Sequence, residues 1–282
     1  MTSLVVNCAV NFLQDGFNFF PFILTQHSID GTPITSNKPP VYFTGGEEIY
    51  VGNRFRVSRG KLHRGQETLD VALKFDFYNN HHADLVDEAR LYEKQAKAVQ
   101  GTALPVLYGI YCATINNRLI TCLVLEYCGS EMETSLHDSE EFSFKVAKHL
   151  MALHSAGLQH NDISASNIVV KNGEPRIIDL STATLHTCER TMDIEPGKPR
   201  PDALDFACTE LHDFASEQGI WEPTDIFYYG AVIPKHLITS AESLLAMTPP
   251  YLIRTAKGRE KILREASEIL RQLGIVEKEP TP

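Results

Sequence analysis

The balance of the apolar pattern shifts at Gly129 from mainly strand-like to mainly helical, and that shift restricts the fold more than any single motif. From about residue 41 to 78 the runs "VYF", "FRVSR" and "VALKFDFY" carry β-type patterning. "HADLVDEARLYEKQAKAVQG" then sets its apolar residues at helical spacing, with Gly101 as the C-cap. "PVLYGIYCATINNRLITCLVLEY" returns to strands, two of them around an Asn-Asn turn. Past Gly129 the pattern is helical. "SEEFSFKVAKHLMALHSAG" is amphipathic, has an acidic first turn and stops at Gly157. A short hairpin, "NIVVKNGEPRIIDL", turns at Asn172-Gly173, and residues 181–224 are loop-rich. "DIFYYGAVIPKHLI" and "GREKILREASEILRQLG" are expected to be helices. The reading is an irregular N-terminal arm over residues 1–40, closed by the linker "GTPITSNKPP". A small strand-rich lobe with one helix occupies 41–128, and a larger helical lobe 129–282. A cleft between two such lobes is the default ligand site.

A chain of 282 residues with 43% hydrophobic residues has ample core for two modest lobes. A formal net charge of -10 argues against the broad basic footprint of a nucleic-acid binder. The longest apolar run, "FNFFPFIL", is too short to span a bilayer, and "MTSLVVNCAV" has no basic leader, so neither a membrane span nor a signal peptide is expected. The six cysteines (Cys8, Cys112, Cys122, Cys128, Cys188 and Cys208) form no C-x-x-C pair. They read as buried thiols of a reduced protein of the cytoplasm or nucleus, not as a zinc centre.

Polar residues gather in "LHSAGLQHNDISASNIVV". Asp162 and Asn167 lie behind His160 in the loop after a long helix, and Asp179 ends the apolar strand "RIID". Two oxygen ligands and a lone carboxylate can surround a magnesium-bound triphosphate, because Mg²⁺ takes one or two carboxylates together with phosphate oxygens and water. In that arrangement Asp179 holds the metal, Asn167 completes a second metal position, and Asp162 accepts or orients the proton of an attacking hydroxyl.

This constellation resembles the catalytic core of protein kinases. His160-Asn161-Asp162-Ile163-Ser164-Ala165-Ser166-Asn167 is similar to the H-R-D-x-x-x-x-N loop, and Asp179-Leu180-Ser181 stands where that family has D-F-G. "VALK" resembles the strand that carries the phosphate-binding lysine, which implies Lys74, and "DEARLY" implies Glu88 as its ion-pair partner. "LVLEYCG" resembles the hinge, with main-chain groups from Glu126 to Cys128 meeting adenine and Leu125 behind them. "DIFYYG" resembles the opening of the central helix of the large lobe, where Asp225 would hold the backbone of the catalytic loop. His160 would be structural, packing near Asp179. The resemblance covers about residues 41–235 and implies a bilobal α+β protein-kinase-like fold with ATP and Mg²⁺ as cofactors.

Departures from the pattern are as informative as the matches. In "FRVSRGKLHRG" Gly60 stands where the third glycine of the Gly-rich loop belongs, but Phe55 and Val57 take the first two places. Asn161 replaces the arginine that reads a phosphorylated activation loop, Ser164 replaces a lysine, and Ser181 replaces the D-F-G glycine. "CTEL" stands in place of A-P-E, with Glu210 as candidate for its structural glutamate. Few residues come after Gly230, so the large lobe looks truncated. The chain is also similar to diverged kinase-like proteins of fungi. The expectation is Mg-ATP-dependent transfer of phosphate to a hydroxyl, foremost Ser or Thr of a protein substrate or partner. The alternatives are a pseudokinase scaffold and a small-molecule kinase of the aminoglycoside phosphotransferase type.

Overall fold

The computed structural model describes residues 3–7, 22–35, 38–76, 81–131 and 139–275, so Cys8 lies outside the described residues. The fold is mixed α+β, with a β-rich N-terminal sheet and the helices concentrated after it. Two compact units emerge, residues 1–194 with 203–218, and residues 195–202 with 219–282.

In the first unit seven strands close into a barrel: β1 (Ser3–Asn7), β2 (Phe22–His27), β3 (Val41–Val51), β4 (Arg56–Arg64), β5 (Glu67–Asp76), β6 (Leu107–Ile115) and β7 (Arg118–Glu126), in the order β1-β2-β6-β7-β5-β4-β3. Neighbours are antiparallel except β1 and β3, which pair in parallel from Leu4↔Val41 to Asn7↔Thr44. Alternation drives the closure. Leu4 and Val6 point inward between Ser3, Val5 and Asn7, and they join Leu24, Phe43, Leu73, Phe75 and Val124 in one core. Each such buried side chain contributes roughly 1.5–3 kcal/mol of transfer free energy. The expected irregular arm is thereby corrected, since Ser3–Asn7 and Phe22–His27 are strands that seal the sheet. Their edge hydrogen bonds are met by β3 and β6, partners too remote in sequence for local patterning to reveal.

Local turn chemistry explains the hairpins. Asn116 and Asn117, both at positive φ (51° and 61°), turn β6 into β7. Helix α1 (His82–Glu93) buries Leu85, Glu88, Ala89 and Tyr92 on one face against the sheet. Helix α2 (Glu140–Ser155) starts where Ser139 Oγ accepts the N–H of Phe142 at 3.3 Å, and its glutamates 140 and 141 suit the positive end of the dipole. Gly129 lies between β7 and the short strand β8 (Ser130–Glu131). It sits at φ 110°, and a Cβ there would lie 1.8 Å from the carbonyl oxygen of Val170, so no other residue fits. Together with β8, the short strands β9 (Leu158–Gln159), β10 (Ile168–Lys171), β11 (Glu174–Ile177) and β12 (Thr184–Leu185) frame the polar loop. Helices α3 (Ala203–Phe206) and α4 (Thr209–Glu217) complete the first unit.

The second unit holds β13 (Asp225–Tyr228), β14 (Ala231–Pro234), α5 (Ala241–Ala246) and α6 (Ala256–Gln272). Here "DIFYYGAVIP" corrects the helix expectation. β13 and β14 form an antiparallel hairpin, with Tyr229 and Gly230 at φ 47° and 87° in its turn. Ile226, Phe227, Tyr228, Val232 and Ile233 favour a pleated strand, and a Gly at the turn outweighs the helical reading. Ile262, Ala266 and Leu270 of α6 recur every fourth residue and are buried, and Ala266 and Leu270 share a core with Ala241 and Leu244 of α5.

Candidate functional site

Lys74 is the centre of the polar interior of the first unit. It points off β5, only 6% exposed, and its Nζ donates to Glu88 Oε2 at 2.7 Å and to Asp179 Oδ1 at 2.8 Å. Register sets the first contact, because β5 lies beside β7 while α1 turns Glu88 inward one helical turn after Leu85. Burial favours the neutral amine, but the carboxylates of Glu88 and Asp179 outweigh it and raise the Lys74 pKa. Burial likewise opposes ionisation of Asp179, yet the Lys74 ammonium and the Ser181 N–H hold its carboxyl below the usual value. Glu88 Oε1 also accepts the N–H of Leu180 at 3.3 Å, which ties α1 to the segment after Asp179. Asp179 takes left-handed backbone, φ 65°, a conformation that Asp tolerates better than most residues.

The ring of Phe55 covers this lysine, with Nζ 4.7 Å from its centroid. Phe55 is itself 6% exposed and comes after the Gly52–Arg54 turn between β3 and β4. Gly60 lies in the middle of β4, opposite Gly45. Its requirement for glycine comes from β3, since a Cβ there would meet the Thr44 carbonyl oxygen at 2.4 Å and the Phe43 ring at 2.5 Å.

The loop from His160 to Asn167 is closely braced. His160 is fully buried; its Nδ1 accepts the N–H of Asp162 at 3.3 Å, which fixes Nε2–H as the donor to the Ile178 carbonyl at 3.0 Å. Asn167 is buried too, and its Nδ2 donates to the Asp162 carbonyl at 2.8 Å and to Asp162 Oδ2 at 3.0 Å. With the amide nitrogen so used, Asn167 Oδ1 is the atom able to meet a cation. Asp162 stands exposed beside it. Asn161 has φ 65° and donates from Nδ2 to the Thr182 carbonyl at 3.0 Å and to Thr184 Oγ1 at 2.9 Å, so its amide bridges the loop to the segment after Asp179.

Within the first unit the carboxylate that accepts from this loop's main chain is that of Glu210. Glu210 Oε2 accepts the N–H of His160 at 3.1 Å, Oε1 accepts the N–H of Asn161 at 2.5 Å, and His154 Nε2 donates to Oε2 at 2.5 Å. Burial works against the charge of Glu210, but these three donors overcome it and lower its pKa. Asp225 instead opens β13 and pairs with Arg200 in the second unit. Glu210, the candidate structural glutamate of "CTEL", stands in the first turn of α4.

In the hinge-like run, Leu125 is buried between Ala72 and Leu107. Glu126 donates its N–H to the Val106 carbonyl at 2.8 Å, and Tyr127 donates to Asp70 at 3.1 Å. Cys128 is buried, and burial pushes its thiol up to about 12.

Lys74, Glu88, Asp179, Asp162, Asn167, His160 and Glu210 thus belong to one unit, while Asp225 lies in the other. The donor set suits Mg-ATP: one ammonium, hard carboxylate oxygens and an amide oxygen. Among the described residues no helix is long and apolar enough to cross a membrane.

No protein-family model matches the chain. It is 28% identical over 131 residues to the lipopolysaccharide core heptose(II) kinase WaaY of Escherichia coli (strain K12), a similarity covering 45% of this chain and 52% of that protein. The chain therefore spans about half the length of the curated relative it matches.

Proposed function

We propose that this chain is a Mg-ATP-dependent phosphotransferase of the protein-kinase-like superfamily, acting on a hydroxyl. The observation that carries the reading is Lys74 Nζ bridging Glu88 and Asp179 at 2.7 and 2.8 Å. A buried ammonium between two carboxylates is costly to desolvate, and such charge clusters gather at functional sites; its three residues come from β5, α1 and the end of "RIID".

When bound, Mg-ATP supplies the transferable phosphoryl group and the metal charge that neutralises it. Lys74 would bind phosphate oxygens as a point cation, held in position by Glu88. Asp179 and Asn167 Oδ1 would be the oxygen ligands of the metal. Asp162 would receive the acceptor's proton, its carboxylate oriented by Asn167 Nδ2 and its backbone by His160 Nδ1. The N–H groups of Glu126 and Tyr127 are engaged within the sheet, so Cys128 is the main-chain donor assigned to adenine.

The acceptor has two readings. The sequence motifs suggest Ser or Thr of a protein. The similarity to a heptose kinase, and the serine at position 164, favour a sugar or other small-molecule hydroxyl. Incubation with γ-labelled ATP and Mg²⁺, alongside a generic protein and a panel of free sugars, separates them. Label in a sugar supports the second reading and label in protein the first. Tight nucleotide binding with no transfer to any acceptor supports a scaffold and overturns the enzyme.

A further inference from the structure

His154, His186, Cys188 and Cys208 converge behind the polar loop, and one ligand atom from each lies within 4.8 Å of all the others. Separate pieces of chain bring them there. His154 ends α2, His186 and Cys188 come after β12, and Cys208 caps α4. The backbone is pinned at this spot, since β12 pairs with β9 and the N–H of His186 donates to the Gly157 carbonyl at 2.9 Å.

The hydrogen-bond geometry at His154 matches that of a metal-ligating histidine. His154 Nε2–H donates to Glu210 at 2.5 Å, which leaves Nδ1 as a lone pair, and that nitrogen lies 3.4 Å from Cys208 Sγ. Tetrahedral zinc with Zn–S of about 2.3 Å and Zn–N of about 2.0–2.1 Å would set such a pair about 3.5 Å apart. A carboxylate on the outer nitrogen of a ligating histidine is the usual means of fixing its tautomer. Independently, His186 Nε2 is buried without a hydrogen-bond partner, and its ring meets that of His154 edge-on at a centroid separation of 4.9 Å. A buried imidazole nitrogen left unsatisfied costs about 1–3 kcal/mol, and metal ligation is one way to remove that cost.

We propose that these four residues form a structural zinc site with two histidine and two cysteine ligands. Binding displaces the thiol protons of Cys188 and Cys208, the two imidazoles stay neutral, and the four ligands with the ion carry no net charge. Through His154 the ion reaches Glu210, and Glu210 holds the N–H groups of His160 and Asn161. The site therefore braces the loop that carries Asp162, whatever that loop does. It is closed by four protein ligands and has no open position for catalysis.

The test uses the full chain, purified under reducing conditions and stripped with chelator, then titrated with zinc and separately with cobalt(II). One equivalent of zinc is expected to bind. Cobalt is expected to give a thiolate-to-metal charge-transfer band and the intense visible envelope of a tetrahedral ion. Cys188→Ser and His186→Ala, both at half-buried positions, are expected to remove or shift the band while the circular dichroism stays native. Glu210→Gln should keep the band and weaken zinc about 10–100-fold. Absence of a cobalt–thiolate band in the reduced wild type overturns the site. So does a band that survives both Cys188→Ser and Cys208→Ser.

Discussion

Glu210 on α4 accepts the main-chain N–H of His160 at 3.1 Å, so a helix in the later part of the first unit sets the backbone of the loop that presents Asp162. One carboxylate serves His154, His160 and Asn161 together. Its substitution is therefore felt across the loop.

Glu210→Gln replaces a carboxylate oxygen by an NH₂ that confronts N–H donors. The expected loss is about 2–3 kcal/mol, because a buried donor is left unmet. The pH dependence has a definite sign. The folded carboxyl titrates below its ordinary value of 4.5, so its stabilisation is present above that value and is lost as pH falls through the depressed one. Urea melts across the acid range should show a shallower loss of stability in the variant than in the wild type. Equal acid limbs would remove Glu210 as the loop's anchor.

Asp225→Asn is the complementary experiment. Asp225 pairs with Arg200, both side chains being partly exposed at 26% and 32%, so the change should cost no more than about 1 kcal/mol. It should leave the loop's amide exchange unchanged, whereas Glu210→Gln should quicken exchange at the N–H groups of His160 and Asn161. Faster exchange there in Asp225→Asn would return the loop-holding role to Asp225.

Lys74→Met tests the buried ion pair. Glu88 would keep its burial and lose its counter-charge, which typically destabilises by about 3–5 kcal/mol. The double variant Lys74→Met/Glu88→Leu removes the stranded charge and should recover most of that loss. A double variant as unstable as the single one would mean that packing, not charge, sets the cost.

How legible each part was depended on whether its cause lay nearby in the chain. The Asn116-Asn117 and Asn172-Gly173 turns, the acidic first turn of α2 and the helical apolar spacing of α1 arise from residues a few positions apart, and all could be read. The Lys74–Glu88 pair could be read from the resemblance carried by "VALK" and "DEARLY", and the two side chains meet. Ser3–Asn7 and Phe22–His27 could not, since each is defined by a strand far along the chain. The segment "DIFYYG" was misread as a helix where a motif outweighed five β-favouring residues in and after it. The His154, His186, Cys188 and Cys208 cluster leaves only the short His186-Thr187-Cys188 spacing in sequence, and its other members arrive through the packing of α2 and α4.

Asp162→Asn separates catalysis from nucleotide binding. Lys74 and Asp179 are linked to each other, whereas Asp162 is exposed and its carboxylate is met by Asn167 Nδ2 at 3.0 Å. Asparagine keeps the shape and one oxygen for that contact but cannot accept a proton. If Asp162 serves the acceptor hydroxyl, affinity for Mg-ATP should stay within about twofold while transfer falls by about 10²–10⁴-fold. Calorimetry gives the first quantity and single-turnover transfer of labelled phosphate the second. Stability should change by less than about 1 kcal/mol, because an exposed carboxylate gives up little on neutralisation. Lost Mg-ATP binding in a folded Asp162→Asn would instead make Asp162 a ligand of the nucleotide or its metal. An unchanged transfer rate would remove it from the chemistry.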